Sequence, residues 1–172
     1  VQLAALLHDL DDWKFNESVD ETPLRAHAWL ESCHVDIPIV GTVCEIITHI
    51  SYKGAGVESK MGSLEGFIVQ DADRLDAIGA IGIGRAFAYG GYKNRMIYDP
   101  DSPPQMHASF EEYKNSNSAT INHFYEKLLL LKDMMNTPTA KKIAEQRHAV
   151  MVKFLDQFMN EWEGKDVSDS HL

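Results

Sequence analysis

The stretch LEGFIVQDADRLDAIGAIGIGRAFAYGG, residues 64–91, decides the fold class. It is a long apolar run without proline, and its polar residues gather at Gln70, Asp71, Asp73, Arg74 and Asp76. We read it as one helix opening at Leu64, with Ser63 as its N-cap, Glu65 in its first turn and Gly90-Gly91 as its stop. Gly79, Gly82 and Gly84 are poor helix formers, so we read them as points where another helix comes close.

Working outward, the same character holds on both sides. Ile37-Pro38 opens a helix whose apolar positions Ile39, Val40, Val43, Ile46, Ile47 and Ile50 suit burial on a broad face. Residues 1–10 are apolar and helix-forming until the acids Asp9, Asp11 and Asp12. Residues 16–23 break structure, and Thr22-Pro23 reads as a cap and first position for a helix over roughly 23–35. The segment SYKGAGVESKMGS, residues 51–63, is a loop carrying Lys53 and Lys60. Residues 92–118 are polar and hold Pro100, Pro103 and Pro104, a surface excursion suited to a lid or a subunit contact. Helices over 119–135 and 138–163 close the chain, with Thr137-Pro138 marking the break. No strand pattern and no internal repeat is visible, so the expected class is all-α. The expected organisation is one domain over 1–164 and a polar tail over 165–172.

Composition narrows the function. The chain has 172 residues, enough for one core, and a formal net charge of −10. That charge argues against an extended nucleic-acid surface and leaves phosphate binding to local basic groups or to a metal. Cys33 and Cys44 form no framework and read as free thiols of a cytoplasmic protein. No apolar run reaches the roughly 20 residues of a membrane span. The opening VQLAALLHDL reads as the interior of a helix, so we expect residues upstream of Val1. The Met and Leu stripe in 124–135 and 150–159 reads as bundle core or as the face of a homodimer.

Two segments concentrate chemistry. In LLHDLDD, residues 6–12, an apolar helix suddenly presents His8, Asp9, Asp11 and Asp12, which is costly unless those groups find partners. A divalent cation satisfies several at once; a helix end with solvated acids is the alternative. Asp12 lies one helical turn after His8, where it could accept a proton from water at the ion. In QDADRLDA, residues 70–77, Asp71, Asp73 and Asp76 surround Arg74. An internal salt-bridge network accounts for them, and so does a metal site with Asp73 facing a pocket.

Taken together, LLHDLDDW and VQDADRLDAIGA, with the closing segment NHFYEKLLLLKDMMNTPTAKKIA, resemble the HD superfamily of metal-dependent phosphohydrolases. The resemblance covers nearly the whole chain and falls within a branch of small stand-alone bacterial proteins. It implies an HD-domain helical bundle and nucleoside triphosphate pyrophosphohydrolysis by a metal-activated water. It assigns His8, Asp9 and Asp73 to the metal and Asp12 to the water. Asp71 and Asp76 are left as structural partners of Arg74. The pattern also calls for a histidine on an earlier helix, expected before Val1; the internal substitutes are His27, His34 and, best placed, His49. His49 and Arg74 otherwise support the ligands. Lys53 and Lys60 suit the phosphates. A set of imidazole and carboxylates favours Mn²⁺, Mg²⁺, Fe²⁺ or Co²⁺. Trp13, Phe15, Tyr89 and Tyr92 are candidates to stack on a base, or simply core. The alternatives are a nucleoside-monophosphate phosphatase, a phosphodiesterase, or a helical regulatory module without turnover.

Overall fold

Helix α1, Gln2–Leu7, is the first element of a chain whose regular elements are helical among the residues that this computed structural model describes, 1–11, 23–52, 59–106, 111 and 118–166. The helices that follow are α2 (Leu24–Ser32), α3 (Ile37–Ile50), α4 (Leu64–Asp76), α5 (Gly79–Tyr92), α6 (Thr120–His123) and α7 (Pro138–Trp162). A π-helical turn, Phe124–Leu128, and a 3-10 turn, Leu130–Met134, lie between α6 and α7. The all-α expectation is borne out, with no strand among the described residues. No described helix is long and apolar enough to cross a membrane.

The chain forms two compact units whose boundary falls inside α4, between Asp73 and Arg74. In the first unit α1 and α2 pack against α3, and Val69 of α4 joins the same core. Burial of Val40, Val43, Ile46, Ile47 and Ile50 gives α3 its broad inner face, while Ile39 remains 46 % exposed. Ala4 and Ala26 are fully buried, so α1 and α2 enter this core through small side chains. Ser63 caps α4 as expected, its Oγ accepting from Gly66 N at 3.1 Å.

In the second unit α5 and the 3-10 turn pack against α7, and α6 packs against α5. Its centre is aromatic: Phe87, Phe124 and Phe154 meet with ring centroids 5.8–6.0 Å apart. Thr137 caps α7, its side chain accepting from Ala140 N, with Pro138 in the first turn as its sequence requires.

The single helix expected over 64–91 is two. α4 stops at Asp76, and Gly79, with φ of +77°, turns the chain as the first residue of α5. Only glycine takes that conformation cheaply, and the Arg147 side chain packs where a Cβ would stand. Gly82 admits the Ala77 carbonyl of the same turn, and Gly84 meets nothing within 4 Å. Another helix therefore comes close at Gly79, through Arg147 of α7, whereas Gly82 serves the turn and Gly84 has open space. The expected cap at Thr22 lies outside the described residues; Pro23 occupies the N-cap position of α2.

Candidate metal centre

His8 stands at the C-terminal end of α1, and the residues after it form a turn. Its Nδ1–H donates to the Ala5 carbonyl of its own helix at 2.8 Å. That bond fixes the ring and leaves Nε2 facing outward from α1. Nε2 lies 3.3 Å from Asp9 Oδ1 and 3.6 Å from Asp73 Oδ1. Asp9 arrives from the turn and Asp73 from α4, more than sixty residues on. All three belong to the first unit.

Two carboxylates around one half-buried imidazole create a negative site. The hydrogen bond to Asp73 is the main reason that the His8 pKa is pushed up to about 9; burial opposes it, and the Ala5 carbonyl and the charge of Asp9 add to it. A group of this kind attracts a positive charge, whether a proton or a metal ion. Its donors are one nitrogen and carboxylate oxygens, the set that suits Mn²⁺, Mg²⁺, Fe²⁺ or Co²⁺ better than a thiolate-selecting metal. Donors sharing an edge of an octahedral ion about 2.1 Å away stand roughly 3 Å apart. The 3.3 and 3.6 Å separations are close to that spacing. Among the described residues no set of three or more His, Cys, Asp or Glu side chains is already arranged as a metal cage. The trio is a partial donor set that fits a divalent ion in chemistry and needs small closure to hold one.

The other candidate residues are placed as follows. Asp12 and Lys53 lie outside the described residues. Lys60 is exposed, next to the buried Met61. His49 is in the last turn of α3, and its backbone carbonyl accepts from Gln70 Nε2 at 3.2 Å. Arg74 is 5 % exposed and its Nη1 donates to the Met134 carbonyl. Asp76 pairs with Arg85 of α5 and not with Arg74, the partner its sequence suggests; Arg74 is buried, while Asp76 ends α4 in the open. His27 pairs with Glu31 on the surface of α2 at 3.5 Å, away from any role in the trio.

Sequence reasoning passed over Asp11. Its Oδ1 accepts from Arg25 N at 3.1 Å and its Oδ2 from Ala26 N at 3.0 Å. Pro23 has no side chain able to cap α2, so Asp11 supplies the missing cap from the turn that carries His8 and Asp9. A helix without a capping residue of its own was the available signal.

An all-helical chain that brings a His-Asp dipeptide onto a distant helical aspartate is the pattern of one class, and the chain belongs to the HD superfamily of hydrolases. It is similar to a solved HD-superfamily hydrolase of Bacillus thuringiensis, with 45 % identity and a TM-score of 0.66, covering 94 % of this chain and 72 % of that one. Among curated proteins it is 39 % identical to YpgQ of Bacillus subtilis over 171 residues, which are 99 % of this chain and 76 % of YpgQ. A crystal structure of YpgQ in complex with ADP aligns with a TM-score of 0.69 at 35 % identity, covering 92 % of this chain and 73 % of that one. A Lactobacillus plantarum protein of solved structure superposes with a TM-score of 0.81 at 43 % identity, over 94 % of this chain and 74 % of its own. No family model matches the chain.

Proposed function

We propose that this hydrolase is a divalent-metal-dependent phosphohydrolase of nucleotides, converting a nucleoside triphosphate to the monophosphate and pyrophosphate. The observation that carries the reading is the convergence of Asp9 and Asp73 on His8 Nε2. The ADP complex of YpgQ supports a nucleotide ligand.

In this reading His8, Asp9 and Asp73 hold the ion, Mn²⁺, Mg²⁺, Fe²⁺ or Co²⁺. When bound, it supplies Lewis acidity, easing deprotonation of water and polarising a phosphoryl oxygen. Asp12, four residues beyond His8, orients the attacking water and takes its proton. The water oxygen bonds to the α-phosphorus, the bond from that phosphorus to the bridging oxygen breaks, and pyrophosphate leaves with the electron pair. Lys53 and Lys60 offset charge on the phosphates. His49 and Arg74 steady the surroundings of the ligands, Arg74 from its place next to Asp73 on α4. One enzyme domain over 1–164 with a polar tail over 165–172, in the cytoplasm, remains part of the reading.

Asp73→Ala is the test. It should abolish metal-stimulated hydrolysis while leaving the helical circular dichroism signal in place. Unchanged activity overturns the assignment. Chromatography of the products settles the reaction: pyrophosphate supports the reading, and orthophosphate points to a monophosphate phosphatase instead.

A further inference from the structure

Of the trio, Asp9 has the least support from its own element. His8 ends α1 and is oriented by the Ala5 carbonyl, and Asp73 sits inside α4. Asp9 belongs to the turn after α1, and its side chain is 66 % exposed. Where its carboxylate stands depends on how that turn is held.

The hold comes from the next two residues. Asp11 Oδ1 accepts from Arg25 N at 3.1 Å and Oδ2 from Ala26 N at 3.0 Å, so both oxygens are engaged by the first N–H groups of α2. Leu10 is tied in the opposite sense: its carbonyl accepts from Arg25 Nη1 at 3.4 Å, while Leu10 N donates to the Leu7 carbonyl at 3.0 Å. Ala26 is fully buried in the core cluster that also holds Ala4 and Leu7 of α1. The turn is therefore fastened on both sides to helices packed on one core, to α1 through Leu7 and to α2 through Arg25 and Ala26.

A helix cap normally comes from the residue next to the helix. A serine or aspartate in place of Pro23 would serve α2 without any reach from elsewhere. What the distant cap adds is placement. It fixes the residue two beyond Asp9 against α2, and so removes freedom that the turn would otherwise lose on closing around an ion.

We propose that Asp11 is a positioning residue for the metal centre: by capping α2 from the turn that carries Asp9, with Arg25 completing the tie at Leu10, it sets the affinity for a divalent ion. The proposal rests on the reading of His8, Asp9 and Asp73 as the ligands of that ion.

The test compares Asp11→Ala, Asp11→Asn and Thr137→Ala with the wild type in two measurements: Mn²⁺ affinity by calorimetry without nucleotide, and hydrogen exchange at the Leu10 amide without metal. Asp11→Ala should weaken Mn²⁺ binding by about tenfold, the scale of losing an outer support of a metal ligand, and speed exchange at Leu10. Asp11→Asn keeps an oxygen for the cap and gives up only the charge, so its affinity should stay within about threefold of wild type. Thr137→Ala uncaps α7 in the second unit at a similar cost in stability and should move neither measurement. Unchanged affinity in Asp11→Ala overturns the proposal. An equal loss in Asp11→Asn overturns it, because the charge then acts through space. An equal loss in Thr137→Ala overturns it too, because the effect is then general destabilisation. If Asp11→Ala does not fold, Arg25→Ala carries the test, since it keeps the N–H groups of the cap and cuts the bond to Leu10. Loss of a positive charge alone would raise cation affinity, so weaker Mn²⁺ binding in Arg25→Ala supports the tie, and unchanged or tighter binding overturns it. If the wild type binds no Mn²⁺, the metal reading fails separately. Exchange at Leu10 then decides, and no change in Asp11→Ala overturns the tie.

Discussion

The metal-free protein should hold a proton on His8 well above neutral pH, and this proton should decide when a metal can bind. The perturbation is pH, with Asp73→Asn as the control. The step from the ordinary 6.5 to about 9 corresponds to about 3 kcal/mol between the two protonation states. Asp9 and Asp73 are 66 % and 42 % exposed, so solvent screening reduces this to about 1–2 kcal/mol of stability. A raised folded-state pKa gives stability that is complete below about 6.5, fades as pH climbs, and is gone above about 9. Urea unfolding in a chelator should therefore show Asp73→Asn less stable than wild type at pH 6, with that gap closing by about 1–2 kcal/mol at pH 10. Nε2 must lose its proton to bind a metal, so divalent-ion affinity should rise about tenfold per pH unit from 7 until it levels near 9. Calorimetric titration reads that slope, and NMR of the imidazole reads the pKa directly. A His8 that titrates at or below 6.5 without metal would refute the reasoning, because the two carboxylates would then not act on Nε2.

Two further outcomes test the frame that holds the site. Gly82→Ala should destabilise by about 2 kcal/mol or more in urea unfolding, since its Cβ would overlap the Ala77 carbonyl, whereas Gly84→Ala, with open space around it, should stabilise by up to about 1 kcal/mol. Equal effects at both positions would mean that the turn between α4 and α5 is misread. Asp11→Ala should cost about 1–2 kcal/mol by stripping the cap from Arg25 N and Ala26 N, and Asp11→Asn should restore much of it in the same assay.

The helices that could be read from sequence are those whose ends carry local signals. Ile37-Pro38 opens α3 at the residue expected, and Ser63 and Thr137 cap α4 and α7 as their side chains allow. The break after Asp76 was hidden because the apolar pattern runs through it unchanged; only the left-handed Gly79 reveals it, and a helical glycine looks the same in sequence. The segment 119–135 carries the pattern of one helix, yet Leu129 N donates to the Phe124 carbonyl at 2.9 Å, the widened spacing of a π-helical turn. Glu126 within that turn is 2 % exposed and accepts from Gln105 N and Ser118 Oγ, so it is anchored by partners that no local periodicity announces. The trio of the site was legible for the opposite reason. His8-Asp9 is weak evidence alone, but a second acidic cluster set within a distant apolar stretch of sequence calls for a partner. Asp11 escaped because its partners are backbone N–H groups 14 and 15 residues away.

The geometry at His8 depends on both a local and a distant constraint. The Ala5 carbonyl orients the ring from within α1, and this would hold in any α1 of the same length. The approach of Asp73 is different, because it needs α1 and α4 to be held about one core. Ala4 is 0 % exposed and Leu7 9 %, and both pack into the cluster that contains Ile46, Ile50 and Val69. A larger residue at Ala4 would push α1 outward, and with it Nε2, whose contact with Asp73 is already 3.6 Å. A shift of about 1 Å there would break the pairing, since Coulombic and hydrogen-bond terms at this distance fall steeply with separation. The apolar packing of the first unit is therefore what turns two carboxylates and an imidazole, each ordinary by itself, into a site able to compete a metal ion against a proton.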